Sequence, residues 1–344
     1  MRHLSLIILS ILFVCGCNGK TTEDRNDSFV KKIWDNGNHC AFTSIIKFKD
    51  KYYCSFREAD SHVFDKDGNA EGKVRIIVSS DGENWESVLL MQKATYDLRD
   101  PKLSITSDGR LMVIMGGSIY RNKILEGRIP HVSFSSDGKT FTDPQPISLD
   151  DKVKTGNDWL WRVTWDDDTG YGVNYSLLND NEAIIKLVKT IDGINYQWVS
   201  DLDVPDFPNE TTVRILPDKR MLMMVRRERG DRYGYWGVSK PPYTDWSWTK
   251  LEMPLGGPDF IPLNDGTIIA GTRSHYIRSY PKTILLKGND KGQFQETVVL
   301  PSGGDTSYPG FVIVDDELWV SYYASHETEK AAIYLAKLPL SIVK

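Results

Sequence analysis

Residues 301–310 read PSGGDTSYPG, a small, turn-forming stretch that carries one phenol, Tyr308, into an apolar strand. A tyrosine on so small a surround can approach a ligand closely. Its pKa of about 10 leaves it protonated at neutral pH, so it becomes a nucleophile only where a carboxylate takes its proton. Six arginines, Arg57, Arg99, Arg162, Arg226, Arg227 and Arg273, fall at or near the ends of apolar strand segments. If they converge, their mutual repulsion needs an anion, and planar guanidiniums suit a carboxylate, so an acidic sugar is the simplest ligand. Glu58, Asp60, Asp65, Asp100, Glu210, Asp259 and Asp305 offer the competing explanation of internal compensation. Trp159 and Trp161, beside Arg162, can stack on a sugar ring or pack between sheets. His62 is a candidate acid/base, since imidazole titrates near neutrality. The histidines at 39, 62, 131, 275 and 326 lack metal-ligand spacing, and no phosphate loop or dinucleotide fingerprint occurs. Neither metal nor cofactor is expected.

These residues must be positioned by a repeat. An apolar strand, a tight turn and a second apolar strand recur six times, with turn aspartates Asp50, Asp108, Asp168, Asp218, Asp265 and Asp315. A second unit interleaves: SSDGENW (79–85), SSDGKTF (135–141), TIDGINY (190–196) and the weaker SKPPYTDW (239–246). Its Asp can cap turn amides, its Gly permits positive φ, and its aromatic packs between sheets. Two hairpins per unit, six times over, predict an all-β, six-bladed β-propeller. FVKKIW (29–34) and AAIYLAKL (331–338) are expected to share the blade that closes the ring. In such a fold the inner-strand approaches and second-strand ends surround an axial pocket, which is where the tyrosine and arginines fall.

The aspartate turns, the six blades and the segment NETTVRILPDKRMLMMVRR resemble the sialidase superfamily over nearly all of the mature chain. That resemblance implies a tyrosine nucleophile activated by a glutamate, an aspartate acid/base and three arginines gripping a substrate carboxylate. Carried over, it implies Tyr308 as nucleophile, Glu210 as its base, and Arg227 (or its neighbour Arg226) and Arg273 as two clamp arginines. The acid/base falls in EADSHVFDKDGNAEGK, where Asp65 fits best, with Asp60 and His62 as alternatives. Asp259, Asp305, Trp161 and the remaining arginines Arg57, Arg99 and Arg162 complete the expected substrate-binding set. One departure stands out: the family's first arginine, in a motif like RIP, is replaced by CAFTS (40–44).

The chain has 344 residues, 40% hydrophobic and 26% charged, enough for a large core, and a net charge of −5 without a basic run. Nucleic acid is therefore not an expected partner. MRHLSLIILSILFVCGCNGK reads as a secretory signal ending in a lipoprotein-type cysteine, Cys17. Expected boundaries are a signal at 1–17, a tether at 18–28 and one propeller at 29–344. Expected localisation is the bacterial cell envelope, with membrane contact only through the lipid and a monomeric state. A turn near Asp50 would not set Cys40 opposite Cys54, so no disulfide is expected. The leading functional expectation is an exo-acting glycosidase on a terminal acidic sugar. The alternatives are a glycosidase or lyase retuned to uronate-containing glycans, with His62 or His275 as acid/base, and a non-catalytic glycan-binding surface propeller.

Overall fold

The computed structural model describes residues 29–274 and 280–344, so the signal, Cys17, the tether and His275 lie outside the described residues. Six sheets follow one another along the chain, antiparallel apart from the short parallel pairing of Ser148–Leu149 with Asn195–Leu202. Their inner strands are His39–Phe48, Asp97–Ile105, Thr164–Asp166 (with Asp158–Leu160 ahead of it), Pro208–Ile215, Asp259–Pro262 and Thr306–Val314. Each pairs with the next strand across the turn that the sequence marks, at 49–50, 106–110, 167–168, 216–220, 263–267 and 315–316. Successive inner strands touch, and the sixth returns to the first, forming a six-bladed β-propeller. Closure is mixed, as expected: Val30–Trp34 forms the outer edge of blade six, pairing with Ala332–Pro339. Cys40 lies opposite Glu58 and Cys54 opposite Ile45, and both thiols are free.

The periodic Ser/Thr-X-Asp-Gly turns join the third and fourth strands of blades one to three. In each, the aspartate accepts the amides two and three residues on: Asp81 from Glu83 and Asn84, Asp137 from Lys139 and Thr140, Asp192 from Ile194 and Asn195, all at 2.7–3.0 Å. The hydroxyl ahead of it accepts the glycine amide, as Ser135 does from Gly138 at 2.8 Å. Here the glycine serves two purposes. Gly138 has a φ of 75°, and a Cβ there would lie 2.1 Å from Tyr53 Oη of the preceding blade. The turn therefore presses one blade onto its neighbour, while the apolar faces between sheets form the core.

Gly138→Ala should lower stability by about 2 kcal/mol or more, combining left-handed backbone strain with overpacking. Gly109 has φ 79° but open space around a Cβ, so Gly109→Ala should cost only the backbone part. Denaturant midpoints of the two variants, at unchanged slope, check the difference.

Candidate active site

Four inner strands break their ladder at the same level. The register shifts between Ala41 and Ser44, Arg99 and Lys102, Pro208 and Thr211, and Ser307 and Gly310. In two of them the break holds a proline, Pro101 or Pro309, which has no N–H to give the ladder. A bulge of this kind re-aims the side chains it carries. Phe42, Asp100 and Tyr308 have positive φ (68°, 48° and 53°), and Glu210 occupies the bulge of blade four. Asp100, Glu210, Tyr308, Arg99 and Arg162 keep only 5–8% of their surface.

The Tyr308 bulge is held from both flanks. Thr43 Oγ1 donates to the Tyr308 carbonyl at 2.7 Å, and Arg162 Nη2 donates to the Pro309 carbonyl at 2.9 Å. A Cβ on Gly257 would stand 2.6 Å from the Tyr308 ring, so this backbone approach needs glycine. The ring meets Phe42 edge-on at 4.9 Å, with Trp161 at 5.9 Å and Tyr323 at 6.0 Å. Its hydroxyl donates to Glu210 Oε1 at 2.5 Å. Arg226 Nη1 donates to Glu210 Oε2 at 2.6 Å and lies 3.3 Å from the phenol oxygen. Burial first, and then the Glu210 charge, push the Tyr308 pKa well above 10, with Arg226 opposing. In the free protein the phenol is therefore protonated, with a carboxylate in place to receive that proton.

The structure distributes the other expected residues unevenly. Arg57 and Arg99 share Asp97: Arg57 Nε reaches Oδ1 at 2.9 Å and Arg99 Nη1 reaches Oδ2 at 3.0 Å. Burial, followed by repulsion from Arg99, brings Arg57 down to about 10 against the pull of Asp97. Arg162 and Arg214 share Asp259, at 3.1 and 2.6 Å. Arg227 turns away from the phenol, held by Asp206 at 2.6 Å and by Asp231. Its neighbour Arg226 reaches Tyr308 instead, because the blade-four bulge sets which of the adjacent side chains faces inward. Arg273 alone of the six has no carboxylate partner among the described residues, and its Nε is buried without a hydrogen bond. Trp161 is fully buried against Tyr308, so it supports that ring rather than offering an open stacking face.

Both aspartates expected as acid/base have other partners. Asp65 accepts the amides of Asp67 and Asn69 at 2.9 and 2.8 Å, shaping its own turn, and Asp60 pairs with Lys330 at the surface at 2.8 Å. His62 lies against Phe42, ring centroids 5.2 Å apart, and hydrogen-bonds Asp305 at 2.6 Å. Three participants escaped the sequence reading. Asp97 was hidden in DLRDPK as one acid among several, and His39 lay far along the chain from its partner. Lys102 is buried beneath Tyr308 and Trp161, 5.2 and 4.8 Å from their centroids, donating to the carbonyls of Phe42 and Thr43 at 3.2 Å. Burial, and then Arg162, bring its pKa down to about 7. Its only signal was a lysine at a position that the strand alternation assigns inward.

No family model matches the sequence, and no curated protein matches it. Solved structures do resemble the fold. A protein of unknown function from Dyadobacter fermentans DSM 18053 superposes with a TM-score of 0.77 at 18% identity, covering 90% of this chain and 99% of its own. A sialidase from Trypanosoma rangeli gives 0.68 at 11% identity, over 87% of this chain and 55% of the sialidase. An α-L-arabinofuranosidase from Fusarium graminearum gives 0.67 at 14%, over 91% and 98%. This chain thus has the six-bladed propeller arrangement of the sialidases and arabinanases.

Removing the Glu210 charge takes away one cause that raises Tyr308 and leaves the opposing Arg226. Glu210→Gln should therefore let the phenol ionise at lower pH than in the wild type, visible by NMR of ring-labelled tyrosine assigned with Tyr308→Phe. Asp97→Ala should cost about 3–5 kcal/mol in denaturant unfolding, because it strands two buried guanidiniums.

Proposed function

We propose that the protein is a glycoside hydrolase that removes a terminal acidic sugar through a tyrosyl–glycosyl intermediate. One observation carries the reading: the 2.5 Å hydrogen bond from Tyr308 to Glu210, with Arg226 against both. Glu210 takes the phenol proton as the Tyr308 oxygen bonds to the anomeric carbon and the glycosidic bond breaks. Arg226 holds Glu210 in reach and offsets phenolate charge as it develops. Water then attacks the anomeric carbon, and the tyrosine leaves and recovers its proton. A nucleophile born neutral suits an anionic sugar, which would repel a carboxylate. Arg273, lacking an internal carboxylate, is the residue assigned to the sugar's charge. The glycosidase activities named for the structural neighbours support a glycan as substrate. We place the enzyme at the cell envelope, tethered through Cys17.

A uronate-bearing glycan is the second reading. It is favoured by the commitment of five of the six arginines to protein carboxylates, which leaves a smaller anion site than a three-arginine clamp.

The test is mass-spectrometric detection of sugars released from sialylated and uronate-bearing glycans by wild type, Tyr308→Phe and Arg273→Met. Wild type should release a terminal acidic sugar, and Tyr308→Phe should release none while remaining folded. Arg273→Met should weaken use of that sugar by about ten- to a hundredfold through KM. Full activity in Tyr308→Phe would contradict the mechanism. Binding of the same glycans without any product would favour a glycan-binding propeller.

A further inference from the structure

At the seam between blades six and one, three side chains meet that the Tyr308–Glu210 chemistry does not use. Asp305 Oδ2 lies 2.9 Å from His39 Nε2 and 2.6 Å from His62 Nδ1, and Oδ1 accepts from Tyr323 Oη at 2.9 Å. The Asp305 amide donates to Ser325 Oγ at 2.9 Å, which fixes the backbone behind the carboxylate. His39 is buried in the inner strand of blade one, whereas the His62 side chain, on the loop after Lys51–Ala59, is 46% exposed. His62 and Tyr308 both pack edge-on against Phe42, at 5.2 and 4.9 Å, so one ring separates imidazole from nucleophile. The loop is pinned beneath: Arg99 Nη1 donates to the His62 carbonyl at 3.0 Å and Arg57 Nη1 to the Ser61 carbonyl at 2.8 Å.

We infer that His62 is the general acid/base of the hydrolysis, oriented by Asp305, with His39 and Tyr323 as positioning residues; this rests on Tyr308 being the nucleophile. A hydrogen bond from Nδ1–H to Asp305 fixes the tautomer and leaves Nε2 as the ring nitrogen that can meet a sugar oxygen. The charged and titratable groups around this imidazole are Asp305, His39, Tyr323, Arg57 and Arg99. Burial opposes ionisation of Asp305, but the hydrogen bonds from His39 and His62 outweigh it and hold the carboxyl below the usual range. Burial depresses His39 against the pull of Asp305.

In the first step the His62 imidazolium gives its Nε2 proton to the leaving glycosidic oxygen as the Tyr308 oxygen bonds to the anomeric carbon and Glu210 takes the phenol proton. In the second, neutral His62 takes a proton from the attacking water, the Tyr308–carbon bond breaks, and Glu210 returns the proton to Tyr308. All three side chains end as they began, and one water is consumed.

The three ligand atoms also lie close enough to share a divalent cation. The other nitrogen of His39 decides against it. Nδ1 is buried without a partner, so a metal on Nε2 would leave a buried N–H with no acceptor, where metal-bound imidazoles ordinarily donate. In the hydrogen-bonded arrangement that atom is only a bare lone pair.

The experiment compares 3′-sialyllactose and a glucuronyl disaccharide with the fluorides of the same terminal sugars, using wild type, His62→Gln, Asp305→Ala and Tyr308→Phe. A fluoride leaves without a proton. His62→Gln should therefore lose about 10²–10⁴-fold on the glycan that the wild type cleaves but far less in forming the intermediate from the matching fluoride. On the fluoride, azide should restore its turnover, yielding the glycosyl azide. Equal losses on both leaving groups, or none, would overturn the assignment. If instead Tyr308→Phe stays active, the nucleophile is wrong while the leaving-group contrast still reports on His62. Nitrogen-15 NMR of histidine in the full chain needs no substrate. Neutral His62 should be the Nδ1–H tautomer in wild type and revert toward Nε2–H in Asp305→Ala; no change between them would overturn the proposal. So would stoichiometric calorimetric binding of Zn²⁺ or Mn²⁺ that disappears in Asp305→Ala.

Discussion

Charge carried into the axis of this propeller has to be balanced there, and the rest of the site depends on how that is done. Desolvating an ion costs several kcal/mol, so a buried guanidinium holds its place only against a well-aligned carboxylate. Asp97 serves two arginines and Asp259 serves two more. Those guanidiniums have donors to spare, and they spend them on backbone carbonyls at Ser61, His62 and Pro309. The ion pairs thus fix both the loop that carries His62 and the bulge that carries Tyr308. These arginines act as scaffold for Tyr308 and His62, and of the six expected arginines only Arg273 has no carboxylate partner among the described residues.

Bulges supply the second half of the construction. A regular inner strand would alternate its side chains between the faces of its own blade. Interrupting four ladders at one level turns Phe42, Asp100, Glu210 and Tyr308 out of that alternation together. Close packing then sets how near the phenol can come: Gly257 gives it room on one side, while Phe42 and Trp161 support its ring. Tyr308 and Glu210 lie 98 residues apart in the chain, yet meet as a hydrogen-bonded pair.

Much of this was legible in the sequence. The hairpins, the aspartate turns and the shared closing blade follow from local turn chemistry and strand patterning, which act over a few residues and are written there directly. Tyr308 could be singled out as a phenol among small residues at the approach to a strand, and Glu210 through the sialidase resemblance of the segment that contains it. What the sequence did not reveal depends on register and on ring closure. Arg226 and Arg227 are adjacent, and a single bulge decides which one faces Glu210. Asp65 looks like a free acid in the chain, but its carboxylate is taken up by the amides of its own loop. His39, His62 and Asp305 are unrelated in spacing, and only the join of blade one to blade six brings them into contact. Internal compensation of the six arginines was one of two readings, and it holds for five: Asp97 pairs with Arg57 and Arg99, Asp259 with Arg162, Glu210 with Arg226, and Asp206 and Asp231 with Arg227.

A tyrosine beside a carboxylate can act as nucleophile or merely hold a structure together, and these roles differ in which atom ends up bonded to the sugar. The most direct measurement is therefore covalent trapping with a ring-fluorinated glycosyl fluoride of the released sugar, followed by proteolysis and peptide mass mapping. The account predicts one glycosyl unit per chain, on Tyr308 and absent when Glu210→Gln is treated in the same way. A label on Glu210 or another carboxylate, or steady turnover of the reagent with Tyr308 unmodified, would contradict it.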